Sequence, residues 1–135
     1  MPEFQLDQRL EADTHHVAEL KLCRLLLMND QRFPWLILVP RRAGARELID
    51  LLPGDQQQLW QEIAAVSRLL QSEFKPDKLN IAMLGNRVPQ LHVHIIARFE
   101  KDAAWPKPVW GVGQTEAYKP EAAADLTSRL REQLK

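Results

Sequence analysis

The tightest constraint on how this chain folds lies in residues 90–99, Gln-Leu-His-Val-His-Ile-Ile-Ala-Arg-Phe. Leu91, Val93, Ile95 and Ala97 alternate with Gln90, His92 and His94. A strand sends successive side chains to opposite faces. The pattern therefore predicts a strand over 90–99 whose apolar row enters a core. Gln90, His92 and His94, continued by Ile96 and Arg98, form the other row, spaced by about 6.6 Å. That row is expected to look outward, onto a surface or into a cleft.

The rest of the chain supplies partners for this strand. Residues 17–28, VAELKLCRLLLM, alternate well enough for a strand and turn apolar on both faces in their second half, so cover is expected on both sides. Asn29, Asp30 and Pro34 mark a turn, and residues 35–39, WLILV, predict a second strand stopped by Pro40. Adjacent histidines in a strand face opposite ways, so His15 and His16 are read as a polar turn. Leu59, Ile63, Val66, Leu70 and Phe74 recur at helical spacing and predict a helix over 55–74, with Asp55 as N-cap and Gln58 completing a capping box. Residues 78–84 read as a strand, 85–89 as a loop, and 121–135 as a C-terminal helix with Leu126, Leu130 and Leu134 four apart. The prolines of WPKPVWG, residues 105–111, exclude regular structure there. The order predicts one α+β domain over 1–135, an antiparallel sheet of about five strands with the long helix on one face.

Composition narrows the function classes. Lys plus Arg equals Asp plus Glu at 18 each, so the formal charge is zero. A nucleic-acid polymer binder usually carries a basic excess. The one cysteine, Cys23, permits no internal disulfide and is expected in the core. No basic stretch followed by an apolar run opens the chain, and no apolar run approaches the roughly 20 residues that span a bilayer. A soluble, cytoplasmic protein with no membrane partner is the expectation.

Three chemistries fit the polar row. Two histidines can simply sit at the rim of a sheet. They can share a metal, although zinc normally takes a third His, Cys or carboxylate. Gln90 is a poor ligand, Cys23 is distant in sequence, and Glu100 and Asp102 lie past the strand. Or one imidazole can attack phosphorus while its neighbours donate hydrogen bonds to phosphate oxygens. Gly85, in the loop just before, lets backbone N–H groups approach an anion closely.

At these residues the chain resembles the histidine-triad (HIT) family, whose signature is His-φ-His-φ-His-φ-φ with φ apolar. It stands here as Gln90-Leu91-His92-Val93-His94-Ile95-Ile96. The likeness extends to LLLMNDQRFPWLILVPRR, to DLLPGDQQQLWQEIAAVSRLLQ and to LNIAMLGNRVPQLHVHIIAR. The resemblance implies a nucleotide site in which His92 attacks the α-phosphorus and His94 contacts a phosphate oxygen. Gln90 takes the place of the family's first histidine; an amide still donates a hydrogen bond but carries no charge. Asn29 or Asp30 falls where the family holds the ribose. Gly85 matches the loop glycine. Arg87 replaces a hydroxyl residue that touches phosphate. Asn86 or Asn80 stands near a phosphate-side asparagine, and Trp35 stands where many members have a histidine. Trp105, in AWPKPVWG, resembles a Trp-Pro element that lies near a partner subunit's site in one branch.

What the resemblance implies is a hydrolase or nucleotidyl transferase, acting on an adenylated or dinucleoside polyphosphate through a nucleotidyl-histidine. It needs no cofactor beyond any magnesium that accompanies the substrate, and it works as a homodimer on a purine nucleotide. The competing expectation is a nucleotide-binding module with little turnover, motivated by Gln90 and Arg87.

Overall fold

The computed structural model describes residues 3–135. Its sheet has five strands in the order β1-β2-β3-β5-β4, every neighbouring pair antiparallel. They are β1 (Thr14–Glu19), β2 (Cys23–Met28), β3 (Trp35–Pro40), β4 (Lys78–Ala82) and β5 (Val93–Arg98). Helices α1 (Gln8–Asp13), α2 (Pro53–Phe74) and α3 (Pro120–Gln133) complete the α+β fold.

The expected single strand over 17–28 is two strands. The break falls at Leu20–Leu22, where the Leu20 N–H donates to the Cys23 carbonyl at 2.7 Å. The cause comes from far away in sequence. Glu62, on α2, accepts from the amides of the buried Leu22 and Cys23, each at 2.9 Å, and so satisfies the chain as it leaves the turn. His15 and His16 are therefore not a turn but part of β1, paired with Leu27 and Leu26. Cys23 is fully buried, as expected.

The long helix also starts earlier than expected. Its first residue is Pro53, whose missing N–H has no partner to lose at that position. Asp55 is thus inside the first turn, where it pairs with Arg42 at 2.7 Å instead of capping. Leu59, Ile63, Val66 and Leu70 are buried against the sheet. Each contributes roughly 1.5–3 kcal/mol by leaving water. The helix ends at Lys75 in the left-handed conformation, φ 52°. β4 stops at Ala82 and not at residue 84, and β5 begins at Val93 and not at residue 90.

The sheet separates two cores. Leu91, Val93, Ile95 and Ala97 join α2 and α3 in the larger one. The opposite face is covered too, contrary to the outward-looking row expected. Trp35, Ile37, Val39 and Ile96 lie under Leu10 of α1 and under Ala104 and Val109 of the irregular segment, with Phe4, Leu6, Trp110 and Val112 packed alongside. No local periodicity marks residues 99–112 as a cover, because prolines and turns shape the segment. His92 and His94 consequently keep only 6% and 5% of their surface exposed. No described helix is long and apolar enough to cross a membrane.

Candidate active site

β5 carries His94 between Ile37 of β3 and Ala82 of β4. His92 precedes the strand by one residue, yet its ring centroid is 4.8 Å from that of His94, edge to face. Each imidazole has one nitrogen fixed by a partner of unambiguous polarity. His92 Nδ1 lies 2.6 Å from the Gln90 carbonyl oxygen, which only accepts. In neutral His92, Nδ1 therefore bears the proton, and Nε2 carries a free lone pair. His94 Nδ1 lies 3.0 Å from the indole Nε1 of Trp35, which only donates. Neutral His94 therefore holds its proton on Nε2. One lone pair and one N–H are built side by side, which suits attack on a centre whose oxygens need a donor.

The surroundings keep His94 neutral. Burial disfavours its charged form, and the nearby His92 adds repulsion, so its pKa falls to about 3. Trp110 stands edge-on to His94 at 5.1 Å and to Trp35 at 5.8 Å. Trp35 reaches His94 diagonally across the β3–β5 ladder, since its direct partner is Ile96.

His92 opens on a cleft of about 130 Å³ lined by Arg46, Glu47, Leu48, Met83, Leu84, Gly85, Gln90 and Leu91. Gly85 adopts φ +86°, a conformation that other residues rarely take. Among the described residues the Arg46 guanidinium makes no ion pair or side-chain hydrogen bond, and it brings a cation to the cleft, with the carboxylates of Glu47 and Asp50 nearby. Nothing in the local sequence singles out Arg46, which lies far from residues 85–94 along the chain.

The other residues singled out from the sequence are placed as follows. Gln90 is beside His92, but its side-chain amide is bonded to residues 5 and 7. Asn86 and Arg87 are exposed on the loop next to the cleft. Asp30 is fully buried. Burial opposes its charge, but the Arg32 guanidinium and the amides of Arg32 and Glu116 hold its carboxyl below the usual range. Asn29 accepts from the Tyr118 amide at 2.9 Å. Both side chains thus fasten the 116–118 segment. Asn80 accepts from Arg98 at 2.7 Å, and Arg98 also pairs with Asp102 at 2.8 Å. Trp105 is 36% exposed and stacks near Arg98, 5.7 Å from ring to guanidinium, away from the His92 cleft. No group of three or more His, Cys, Asp or Glu among the described residues is arranged to hold a metal.

Known proteins are similar to this chain in sequence and fold. The chain is 51% identical to a histidine triad protein of Bradyrhizobium japonicum, over 99% of this chain and 100% of that one, with a TM-score of 0.96. It is 47% identical to a histidine triad protein of Marinobacter aquaeolei VT8, over 99% and 100%, with a TM-score of 0.94. A bis(5'-adenosyl)-triphosphatase of Saccharomyces cerevisiae shares 30% identity over 70 residues, 48% of this chain and 34% of the yeast protein. The chain thus spans about a third of the length of that curated relative. The model of the HIT domain matches residues 9–101, which take in β1 through β5 and both histidines. With that match over most of its length, this chain belongs to the HIT domain family.

Proposed function

We propose that the protein cleaves the α-phosphate linkage of an adenylated or dinucleoside polyphosphate, through a nucleotidyl group carried on His92. The observation that supports it most is the pair of imidazoles with opposite, fixed proton positions. In the first step the His92 Nε2 lone pair forms a P–N bond to the α-phosphorus. The bond from phosphorus to the leaving-group oxygen or nitrogen breaks, and that atom takes the electron pair and a proton from solvent. The His94 Nε2–H donates to a phosphate oxygen as charge builds there. Water then attacks the same phosphorus, the P–N bond breaks, and the nucleoside monophosphate leaves with His92 restored. Neither step calls for a bound cofactor, and any magnesium enters with the substrate phosphates. Gly85 lines the cleft where phosphate oxygens would approach backbone amides, and Asn86 and Arg87 flank it. A nucleoside reaching Asn29 or Asp30 would have to part them from residues 116–118.

The same reading makes the protein a homodimer. β4 is an unpaired sheet edge, and Ile81, Met83 and Leu84 on and beside it are 46%, 44% and 48% exposed. An apolar open edge is a surface that pairing with a second copy would cover.

A binding module with little turnover is the competing reading, favoured by the small cleft and by the tied-down Gln90 amide. Incubation with diadenosine triphosphate separates the two. Release of AMP and ADP by the wild type, lost in His92→Ala while nucleotide binding persists, supports hydrolysis. Equal binding and equally absent product in both would establish the module.

A further inference from the structure

Gln90 occupies the first position of the triad signature, yet its side chain is turned to the N-terminal segment. Its Oε1 accepts from the Asp7 N–H at 2.8 Å, and its Nε2 donates to the Gln5 carbonyl at 2.8 Å. The two contacts bracket Leu6 as a neighbouring strand's peptide group would, with one amide oxygen and one amide nitrogen each meeting its complement. Phe4 and Leu6 pack on the histidine face of the sheet, and the Arg24 guanidinium lies 5.4 Å from the Phe4 ring. The segment continues into α1, whose Leu10 is buried in the same cluster. The Gln90 carbonyl meanwhile holds the His92 Nδ1–H at 2.6 Å.

We infer that Gln90 is a positioning residue moored by residues 5–7, and that this mooring orients His92 through the Gln90 carbonyl. The inference rests on the reading of His92 as nucleophile only for its consequence on rate. An amide suits the task because it does not titrate. An imidazole at position 90 could make both bonds when neutral but would become a double donor on protonation and lose the Asp7 N–H. The side chain at position 90 is thus committed to the fold on one side while its carbonyl serves the nucleophile on the other. Gln90 then acts on phosphate only through His92.

The test combines three readouts on the full chain. In Gln90→Ala, amide exchange at Asp7 is expected to accelerate about tenfold or more, because that N–H loses its partner. The His92 ring nitrogens, read by long-range proton–nitrogen NMR, are expected to shift from a single proton position toward a mixture. The rate of nucleotidyl transfer to the protein from diadenosine triphosphate is expected to fall about tenfold, with the KM for the nucleotide little changed. Asp7→Pro removes the N–H at a residue whose φ of −55° already suits proline, and should reproduce the rate loss, with no further loss in the double variant. Asp7→Ala keeps the Asp7 N–H, removes the carboxylate's cap contact with the Arg9 N–H and its 3.6 Å ion pair with the Arg9 guanidinium, and should leave the rate unchanged. Unchanged Asp7 exchange in Gln90→Ala would overturn the mooring. A rate loss in Gln90→Ala that Asp7→Pro does not share would overturn the indirect role and make Gln90 a direct phosphate contact. If the wild type transfers no nucleotide, the catalytic reading fails, and exchange and tautomer still decide the mooring.

Discussion

Protonation of His94 should set the acid limit of this fold. His94 titrates near 3 in the folded protein, whereas an unfolded histidine titrates near 6.5. Above about pH 6.5 both states are neutral and the group has no effect on stability. As pH falls from there toward 3, the unfolded chain binds a proton that the folded chain refuses, so stability declines. The slope approaches about 1.4 kcal/mol per pH unit, or roughly 2–3 kcal/mol between pH 6.5 and 4.5. The buried carboxylates contribute in the same direction but at lower pH. The carboxyl groups of Asp30 and Asp102 are held below the usual range, so their stabilisation is lost below the ordinary carboxylate pKa near 4. The window from 6.5 to 4.5 is therefore governed by histidine. His94→Gln isolates the effect, since its amide oxygen can still accept from the Trp35 indole while nothing titrates. Urea unfolding followed by tryptophan fluorescence at half-unit pH steps measures it. The wild type should lose more stability than the variant across the window by the amount above. Equal slopes would show that His94 takes up a proton inside the fold, and the neutral ring with Nδ1 accepting from the Trp35 indole would be refuted with it.

Other consequences follow from the same contacts. Arg98 and Asp102 form a pair whose side chains are 2% and 4% exposed, so Arg98→Met should cost about 3–5 kcal/mol in urea unfolding by leaving a buried carboxylate with backbone amides alone and the Asn80 and Lys107 oxygens without their donor. Arg46→Ala should raise the KM about tenfold for dinucleoside polyphosphates, whose leaving group is charged, and little for an adenosine 5′-phosphoramidate; an equal effect on both would place Arg46 outside the leaving-group site. Ile81→Asp should convert a wild-type dimer to a monomer in sedimentation velocity, and a monomeric wild type would refute edge pairing through β4.

The sequence exposed what periodicity encodes and concealed what long-range contact decides. The alternation at 90–97 fixed which side of β5 enters the larger core, and helical spacing located the apolar face of α2. The break between β1 and β2 was hidden because Glu62, some forty residues away, supplies the acceptors that make the turn. The covered histidine face was hidden because Trp110, Val109 and Ala104 come from a stretch with no period. Within the site, the spacing of His92 and His94 was legible, but their proton positions were not. Those depend on a carbonyl and an indole brought in by local backbone bending and by a diagonal across two strands. Asn29 and Asp30 read as free polar groups in a turn, since nothing local shows that residues 116–118 return to bind them.

The central claim is that His92 carries the nucleotide. The most direct measurement mixes the protein briefly with diadenosine triphosphate, quenches in base, where a phosphoramidate survives, and maps the modified peptide by mass spectrometry. The expected result is an added AMP mass on His92, absent in His92→Ala. Products released with no such adduct, or an adduct on His94 instead, would contradict it.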